Sequence, residues 1–396
     1  MPPIHHTFAP HVDTTYVLHT MRLLLQPWKW HKGKEQQQLQ DALKTHFKAN
    51  VSLFASGREA LLAILQSLEM RPGDEIIIQG YTCTVVPNAI QAAGATPIYA
   101  DIDPETLNLT SETVEPLITN STRAIICQHT FGMVADTERL RALCDEYDIL
   151  LIEDCAHIIP DQQGPQDIGK YGDYVFLSFG RDKAISGITG GAVITKKLCH
   201  PEPVRPAGGP AQLPSLTIFR FLLYPFIYSI ARPLYGVGIG KVLLWLSAKL
   251  GLLVPIVTKK EKQGHMDSVL HSMPNACAAL ALGQFQKLQK INDHRRELTK
   301  LYLQACKDNG WKVLNGMTED LPLQKFPLFV QQAEYVRTQL KKHNIHLFDG
   351  WTGCSIVTES PHAEETEKQV LNLPTHPTMS MYQATQLVQF LRKLLS

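Results

Sequence analysis

Leu150-Leu151-Ile152-Glu153-Asp154-Cys155-Ala156-His157, followed by Tyr174-Val175-Phe176-Leu177-Ser178-Phe179-Gly180-Arg181-Asp182-Lys183, decides how this chain is read. Each segment opens as a short apolar run of strand length and closes in polar residues. A glycine-rich turn, Gly187 to Gly191, leads into a third run, Ala192-Val193-Ile194-Thr195. Strands apolar throughout belong in a sheet covered on both faces. Ligands of such open sheets gather at the carboxyl ends of the strands. Asp154 and Lys183 each follow a strand end. A buried carboxylate beside a lysine suits a pyridinium cofactor, the acid pairing with the ring nitrogen and the amine taking the aldehyde.

The same alternation extends towards the N-terminus. Leu39, Leu43 and Phe47 recur every four residues and mark one face of a helix over 34–48. A strand, Val51 to Ala55, enters Ser56-Gly57-Arg58 and a helix carrying Leu61, Leu62, Ile64, Leu65 and Leu68. Strand, small-residue turn and helix together offer backbone N–H groups to a phosphate, and Arg58 adds a charge; an ordinary tight turn has the same signature. Strands at Glu75–Ile78, Pro97–Ala100 and Ala124–Cys127 alternate with helices at Thr84–Ala93, Ser111–Ile118 and Asp136–Tyr147, with Ser111 as an N-cap. This rhythm predicts an α/β fold with a mostly parallel, mixed sheet and helices on both faces.

Composition excludes several classes. The 38 Lys and Arg nearly cancel the 37 Asp and Glu, which leaves no basic excess for nucleic acid. The eight cysteines form no C-x-x-C pair, and several lie in apolar strands as small hydrophobes, so a reducing, cytoplasmic setting is expected. Met1-Pro2-Pro3-Ile4 lacks the basic start of a secretory signal. His5, His6 and His11 have neither helical spacing nor acidic partners, so they read as a flexible or dimer-contacting arm, and no metal site is expected.

The segment after the Pro- and Gly-rich stretch Pro201–Pro214 is unusual. Leu216–Ala231 and Val242–Val257 are almost wholly apolar, interrupted by Arg220, Pro225, Lys249, Gly251 and Pro255. Each arm is shorter than the roughly 20 residues that cross a bilayer. Two placements remain open. One is a hairpin lying in one leaflet, with Arg220, Arg232, Lys241 and Lys249 at the headgroups beside Tyr224, Phe226, Tyr228 and Trp245. The other is an insertion packed on the large domain or across a dimer contact. Gly236-Val237-Gly238-Ile239-Gly240-Lys241 follows no strand and reads as a joint between the arms. Beyond it, a long helix over 275–306 is expected, with Leu280, Phe285, Leu288 and Ile291 inward and Asp293, Arg295, Arg296 and Glu297 on a solvated face. A strand at Phe326–Val330 and helices at Ala333–His343 and Ser380–Leu395 complete a small α+β domain. The expected divisions are an N-terminal arm and helix (1–50), a large cofactor-binding domain (51–200), linker and insertion (201–264), and a small C-terminal domain (265–396).

The order of these features resembles the DegT/StrS-type sugar-nucleotide aminotransferases, a branch of the fold-type-I pyridoxal-phosphate enzymes. The likeness is carried by Ser56-Gly57-Arg58-Glu59-Ala60-Leu61, Arg71-Pro72-Gly73-Asp74-Glu75, Tyr81-Thr82 and Asp101-Ile102-Asp103-Pro104 with Asn108. It continues through His129–Gly132, Glu153-Asp154-Cys155-Ala156-His157, Ser178-Phe179, Lys183 and Gly190-Gly191. It covers about 34–197 well and the chain from about 270 more loosely.

The resemblance implies that Lys183 holds the cofactor aldehyde covalently and then moves a proton, while Asp154 pairs with the ring nitrogen. It implies that His157 faces the phenolic oxygen, and that Ser56, Gly57, Arg58 and Ser178 bind the phosphate. His129 is read as a satisfied core histidine. Where such enzymes stack an aromatic on the ring, this chain has Cys83. Where they send Asn and Arg into the partner's site, it has Leu270-His271-Ser272-Met273. The 216–257 insertion is outside the common pattern. The implied activity is a homodimeric transfer of an amino group from an amino acid, glutamate by analogy, to a keto-sugar, nucleotide-linked and destined for a surface glycan. A lipid-linked acceptor met at the inner face of the membrane through 216–257, and a non-catalytic scaffold, are the alternatives. Dehydratases of this fold carry histidine in place of Lys183, which argues against them.

Overall fold

A computed structural model describes residues 3–5, 7–196, 204, 209–348, 350, 351, 355–357 and 360–395; His6 lies outside them. The strands, in chain order, begin with β1 (Ile4–His5), β2 (Asn50–Phe54), β3 (Glu75–Gln79) and β4 (Tyr81–Cys83). They continue with β5 (Thr96–Ala100), β6 (Thr122–Gln128), β7 (Leu150–Asp154), β8 (Tyr174–Ser178) and β9 (Gly191–Thr195). The last are β10 (Lys325–Phe329), β11 (Ile345–His346), β12 (Ser355–Val357) and β13 (Val370–Pro374). The helices are α1 (Thr14–Leu24), α2 (Lys34–Phe47), α3 (Gly57–Ser67), α4 (Val85–Ala92), α5 (Ser111–Val114) and α6 (Thr137–Tyr147). After the sheet come α7 (Ser215–Leu234), α8 (Ile239–Lys249), α9 (Lys259–Lys262), α10 (Asn275–Phe285) and α11 (Leu288–Asn309). The chain closes with α12 (Ala333–Lys341), α13 (Pro361–Gln369) and α14 (Met381–Leu395).

Seven strands form the central sheet in the order β2-β9-β8-β7-β6-β3-β5. The pairs from β8 through β5 are parallel, whereas β9 runs antiparallel to both its neighbours, as expected of a mixed sheet. Alternation along each strand feeds both faces. Ile76, Ile78, Ile126 and Ile152 pack with α3 and α4, while Ile77, Ile125 and Leu151 pack with α6. Val175, Leu177 and Ile194 face Leu39 and Leu43 of α2 and Cys277 and Ala281 of α10. A separate core joins α11, α12, α14, β10 and β13 through Tyr302, Phe326, Leu328, Leu340 and Leu387.

Four expectations are corrected. The long C-terminal helix is two, broken at Gln286–Lys287. Arg295 is buried rather than solvated. The cap of α5 is Thr110, whose hydroxyl accepts from Thr113 N–H in a reciprocal capping box, so Ser111 is already helical. The N-terminal segment is no loose arm: β1 pairs with β11, α1 packs on α7, and His11 is buried. The first apolar arm is the helix α7 and the second is helical only as far as Lys249, in α8, with Gly238 in the left-handed region (φ 86°) turning the chain between them. Among the described residues no helix is long and apolar enough to cross a membrane.

Candidate active site

A cavity of about 620 Å³ opens at the carboxyl ends of β6, β7 and β8. Its lining brings together Ser56, Gly57, Arg58, Cys83, Asp154, His157, Ser178 and Lys183, every residue singled out from the sequence. Register explains part of this. Gln128 stands opposite Asp154 on the neighbouring strand, and Asp154 stands opposite Phe176, two residues before Ser178.

Strand alternation sends the adjacent acids Glu153 and Asp154 to different jobs. Glu153 is wholly buried and accepts from the N–H groups of Gly169 (2.7 Å), Tyr171 (3.0 Å) and Gly172 (2.5 Å). His129 faces its carboxylate at 3.2 Å, while Ala135 N–H donates to the other ring nitrogen. Burial opposes the charge on Glu153, but His129 and these N–H donors prevail and hold its carboxyl below the usual range. His129 is thus a satisfied core residue.

Asp154 lines the cavity with one carboxylate oxygen accepting from Ala156 N–H (2.9 Å). Burial pushes its pKa up, and the Ala156 N–H and then the charge of Lys183 offset this only in part. A cationic ring nitrogen beside Asp154 would complete that compensation. His157 is held neutral, far below its ordinary range, by burial and by the charges of Lys183 and Lys325. Its Nδ1 accepts from Phe131 N–H (3.1 Å), so the ring proton sits on Nε2 and is available as a donor.

Ser56 caps α3, accepting from Glu59 N–H at 3.3 Å. The first N–H groups of the helix therefore face outward without intrahelical partners. Gly57 is required here: a Cβ would lie 2.6 Å from Ser178 Cβ and 2.8 Å from its Oγ. Gly191 is equally confined, its Cβ position lying 2.5 Å from Ser56 O. The result is a narrow cradle of helix N-terminus and serine hydroxyl suited to a phosphate. Arg58 lines the cavity, but its guanidinium pairs with Glu261 and donates to Ile256 O (2.8 Å). It ties α3 to the segment after α8.

Lys183 sits in the turn after β8, its N–H bonded to Gly180 O (3.3 Å). Two distant buried residues hold its carbonyl: His11 through Nε2 (2.8 Å) and Arg295 through Nη2 (3.2 Å). His11 Nδ1 lies 3.0 Å from the Gln284 carboxamide. Burial, then the Arg295 charge, lowers the His11 pKa to about 4, so it donates as a neutral ring. Arg181, two residues before Lys183, lays its guanidinium 4.1 Å from the ring centre of Tyr224 on α7. Tyr224 is thus buried under the lysine turn and not at a headgroup.

Sequence reasoning missed Gln128, Trp351, His11 and Arg295. Gln128 ends β6 as Asp154 ends β7, so the strand-end rule that found one could have found the other. Trp351 reaches the cavity from the small domain and stacks on His157, ring centres 5.8 Å apart and planes at 28°. Cys83, where relatives of the resembled type carry an aromatic, is half-buried on β4, which pairs with β12. Leu270 and Met273 pack into this chain's own cores, and His271 N–H donates to Glu59 (2.6 Å).

The overall architecture is that of the fold-type-I aminotransferases. It superposes on Helicobacter pylori PseC, an aminotransferase involved in the biosynthesis of pseudoaminic acid, with TM-score 0.72, 18% identity and 99% of both chains covered. For NtdA from Bacillus subtilis, solved with bound cofactor PMP, the TM-score is 0.69 at 22% identity, covering 96% of this chain and 81% of that one. The model of the DegT/DnrJ/EryC1/StrS aminotransferase family matches residues 14–199 and 256–392, and the chain belongs to that family. The unmatched gap contains α7 and α8.

Among curated relatives, the UDP-N-acetyl-3-dehydro-alpha-D-glucosamine 3-aminotransferase of Acidithiobacillus ferrooxidans is 37% identical over 142 residues, 36% of this chain and 38% of that protein. The GDP-perosamine synthase of Vibrio cholerae is 31% identical over 169 residues, 42% of this chain and 46% of that protein. The chain thus aligns with less than half the length of these relatives.

Proposed function

We propose that the chain is a pyridoxal-phosphate-dependent aminotransferase that moves an amino group from an amino acid, glutamate first, to the ketone of a nucleotide-linked sugar. The observation that carries this is the convergence of Asp154, His157, Ser178 and Lys183 on one cavity at the carboxyl edge of the sheet. The donor set fits the cofactor: a serine and glycine cradle, an under-compensated carboxylate, a neutral histidine donor and a lysine amine.

When bound, pyridoxal phosphate supplies an aldehyde to take the amino group and a ring that accepts electrons from the carbon losing its proton. Ser56, Gly57 and Ser178 would hold the phosphate at the α3 N-terminus. Asp154 would keep the ring-nitrogen proton in place, its own burial making it a strong partner for that cation. His157 would donate its Nε2 proton to the phenolic oxygen, and Trp351 behind it limits water on that side. Lys183 Nζ would bind the aldehyde carbon and, once freed, carry the proton between the two carbons it faces. His11 and Arg295 fix the backbone from which that amine reaches.

We further propose a homodimer, and a peripheral contact of 216–257 with the inner face of the membrane. The lipid-linked acceptor remains as a second reading because Phe221, Tyr228 and Val254–Thr258 wall the same cavity as Lys183. Protein loaded with pyridoxal phosphate and mixed with L-glutamate should release 2-oxoglutarate in proportion to loaded sites. Loaded protein that releases no 2-oxo acid from glutamate or from any other amino acid removes the transferase and leaves a scaffold.

A further inference from the structure

Helix α8 is turned inside out. Its buried residues are Gly240 and Ser247, whereas Ile239, Val242, Trp245 and Leu246 are exposed, Trp245 at 58%. The small residues explain the seating. A Cβ at Gly240 would lie 2.2 Å from Ala231 O and 2.8 Å from Tyr235 N, so only glycine lets α8 rest on the end of α7. Leu243 and Leu244 are half-buried, and the larger part of the helix's apolar surface is turned outward. Helix α7 buries Ile218, Leu222 and Ile227 and leaves Leu216, Phe226 and Ile230 exposed. Helix α1, packed on α7 through Tyr16 and Leu23, exposes Leu18 and, just beyond its end, Leu25 and Trp28 at 72%. Helix α7 and the two helices packed on it therefore each turn apolar residues to the outside, far more than the scattered exposure of an ordinary surface.

Charge selects the occupant. No acidic residue lies between Glu202 and Glu261, and Glu261 is itself buried against Arg58. Lys241, Lys249, Lys259 and Lys260 are exposed along the same stretch. A second copy docked about a twofold axis would set this basic face against itself. A surface of anionic lipid headgroups complements it. Lys249 Nζ lies 5.7 Å from the Trp245 ring centre and Lys241 Nζ 5.1 Å from that of Tyr235. This pairing of aromatic body and cationic tip is the pattern of residues seated at a lipid–water boundary. Neither helix crosses: α7 carries Pro225 and Pro233, and the 11 residues of α8 span only about 16 Å.

We infer that α1, Trp28, α7 and α8 form a docking face that lies in the plane of an anionic lipid bilayer, with Trp28 and Trp245 inserted at the headgroup boundary and Lys241 and Lys249 on the phosphates. This deepens the membrane contact proposed above and rests on it, while owing nothing to the transfer chemistry. Because the root of the hairpin walls the Lys183 cavity, a sugar carried on a lipid would be met beside the site.

The test is flotation of the full chain with vesicles of mixed phosphatidylcholine and phosphatidylglycerol, and with pure phosphatidylcholine, in the absence of substrates. The full chain should float with the mixed vesicles, and raised salt should weaken it. The pair Lys241→Glu with Lys249→Glu, and the pair Trp28→Ser with Trp245→Ser, should each lower partitioning by about tenfold or more. These side chains are exposed and outside the cavity, so far-UV circular dichroism and 2-oxoglutarate release in solution should be unchanged, which separates a failed docking face from a failed transferase. A chain that never floats overturns the inference. So does a dimer that the tryptophan pair dissociates with no vesicle binding in either form, since the face would then belong to a second copy.

Discussion

The carboxyl edge of the sheet and the α7–α8 hairpin break the same rule in opposite directions. At the sheet edge, carboxylates, imidazoles and a guanidinium are buried. At the hairpin's second helix, α8, tryptophan, leucine and isoleucine are outside while glycine and serine are inside. Burying a charged group costs several kcal/mol unless partners replace its water. Leaving a large apolar side chain exposed forgoes about 1.5–3 kcal/mol each. The sheet edge meets its cost internally for Glu153, whose carboxylate has three N–H donors and His129. Asp154 is only partly compensated, and that deficit marks where a cationic ring belongs. The exposed side chains of the hairpin have no cover among the described residues, so their partner is sought outside. A misplaced residue is informative according to whether its own fold repays it.

The largest effect that sharpens this contrast is chemical. Lys183→Ala should lower glutamate-dependent transfer by about 10²–10⁴-fold or more, with folding unchanged. Glu153→Ala should cost about 3–5 kcal/mol in chemical denaturation, since it strips three N–H groups and His129 of their shared partner. Gly57→Ala, which drives a methyl into Ser178, should cost about 1–3 kcal/mol and weaken retention of pyridoxal phosphate.

Acidification gives a graded test. His11 has its pKa lowered from 6.5 to about 4, so between those values the unfolded chain binds the proton and the folded chain does not. Stability should therefore fall as pH drops from about 6.5 towards 4, and His11→Gln should flatten that slope. Glu153, also depressed, adds a further loss below the ordinary glutamate range. At the other region, Trp245→Ser should change stability by less than about 0.5 kcal/mol, although the residue is large and apolar. A cost of several kcal/mol there would mean that Trp245 is packed, and the contrast would fail.

Much of the site was legible because it is built from strand ends. The apolar runs at 150–154 and 174–178 fix β7 and β8 by composition alone, and the polar residue that ends each run falls at the ligand edge. What was not legible depends on distant packing. Arg295 stands four and seven residues after the inward Ile291 and Leu288, so spacing alone placed it on the buried face, and only its charge argued for solvent; its guanidinium is held inside by the Lys183 carbonyl, 112 residues away in sequence. His11 is held in the same way from the other end of the chain. The break at Gln286–Lys287 carries no proline or glycine, so periodicity ran through it. The hairpin arms were visible as apolar runs, but only the structure shows that α8 buries Gly240 and Ser247 and leaves Trp245 outside.

The central claim is that the Lys183 amine takes the cofactor aldehyde in the cavity flanked by Asp154. Borohydride reduction of protein mixed with pyridoxal phosphate, followed by peptide mass spectrometry, tests it most directly. A phosphopyridoxyl adduct confined to the Lys183 peptide, and lost when L-glutamate is added before reduction, is the expected result. An adduct spread over surface lysines, or present undiminished in Lys183→Ala, would contradict it.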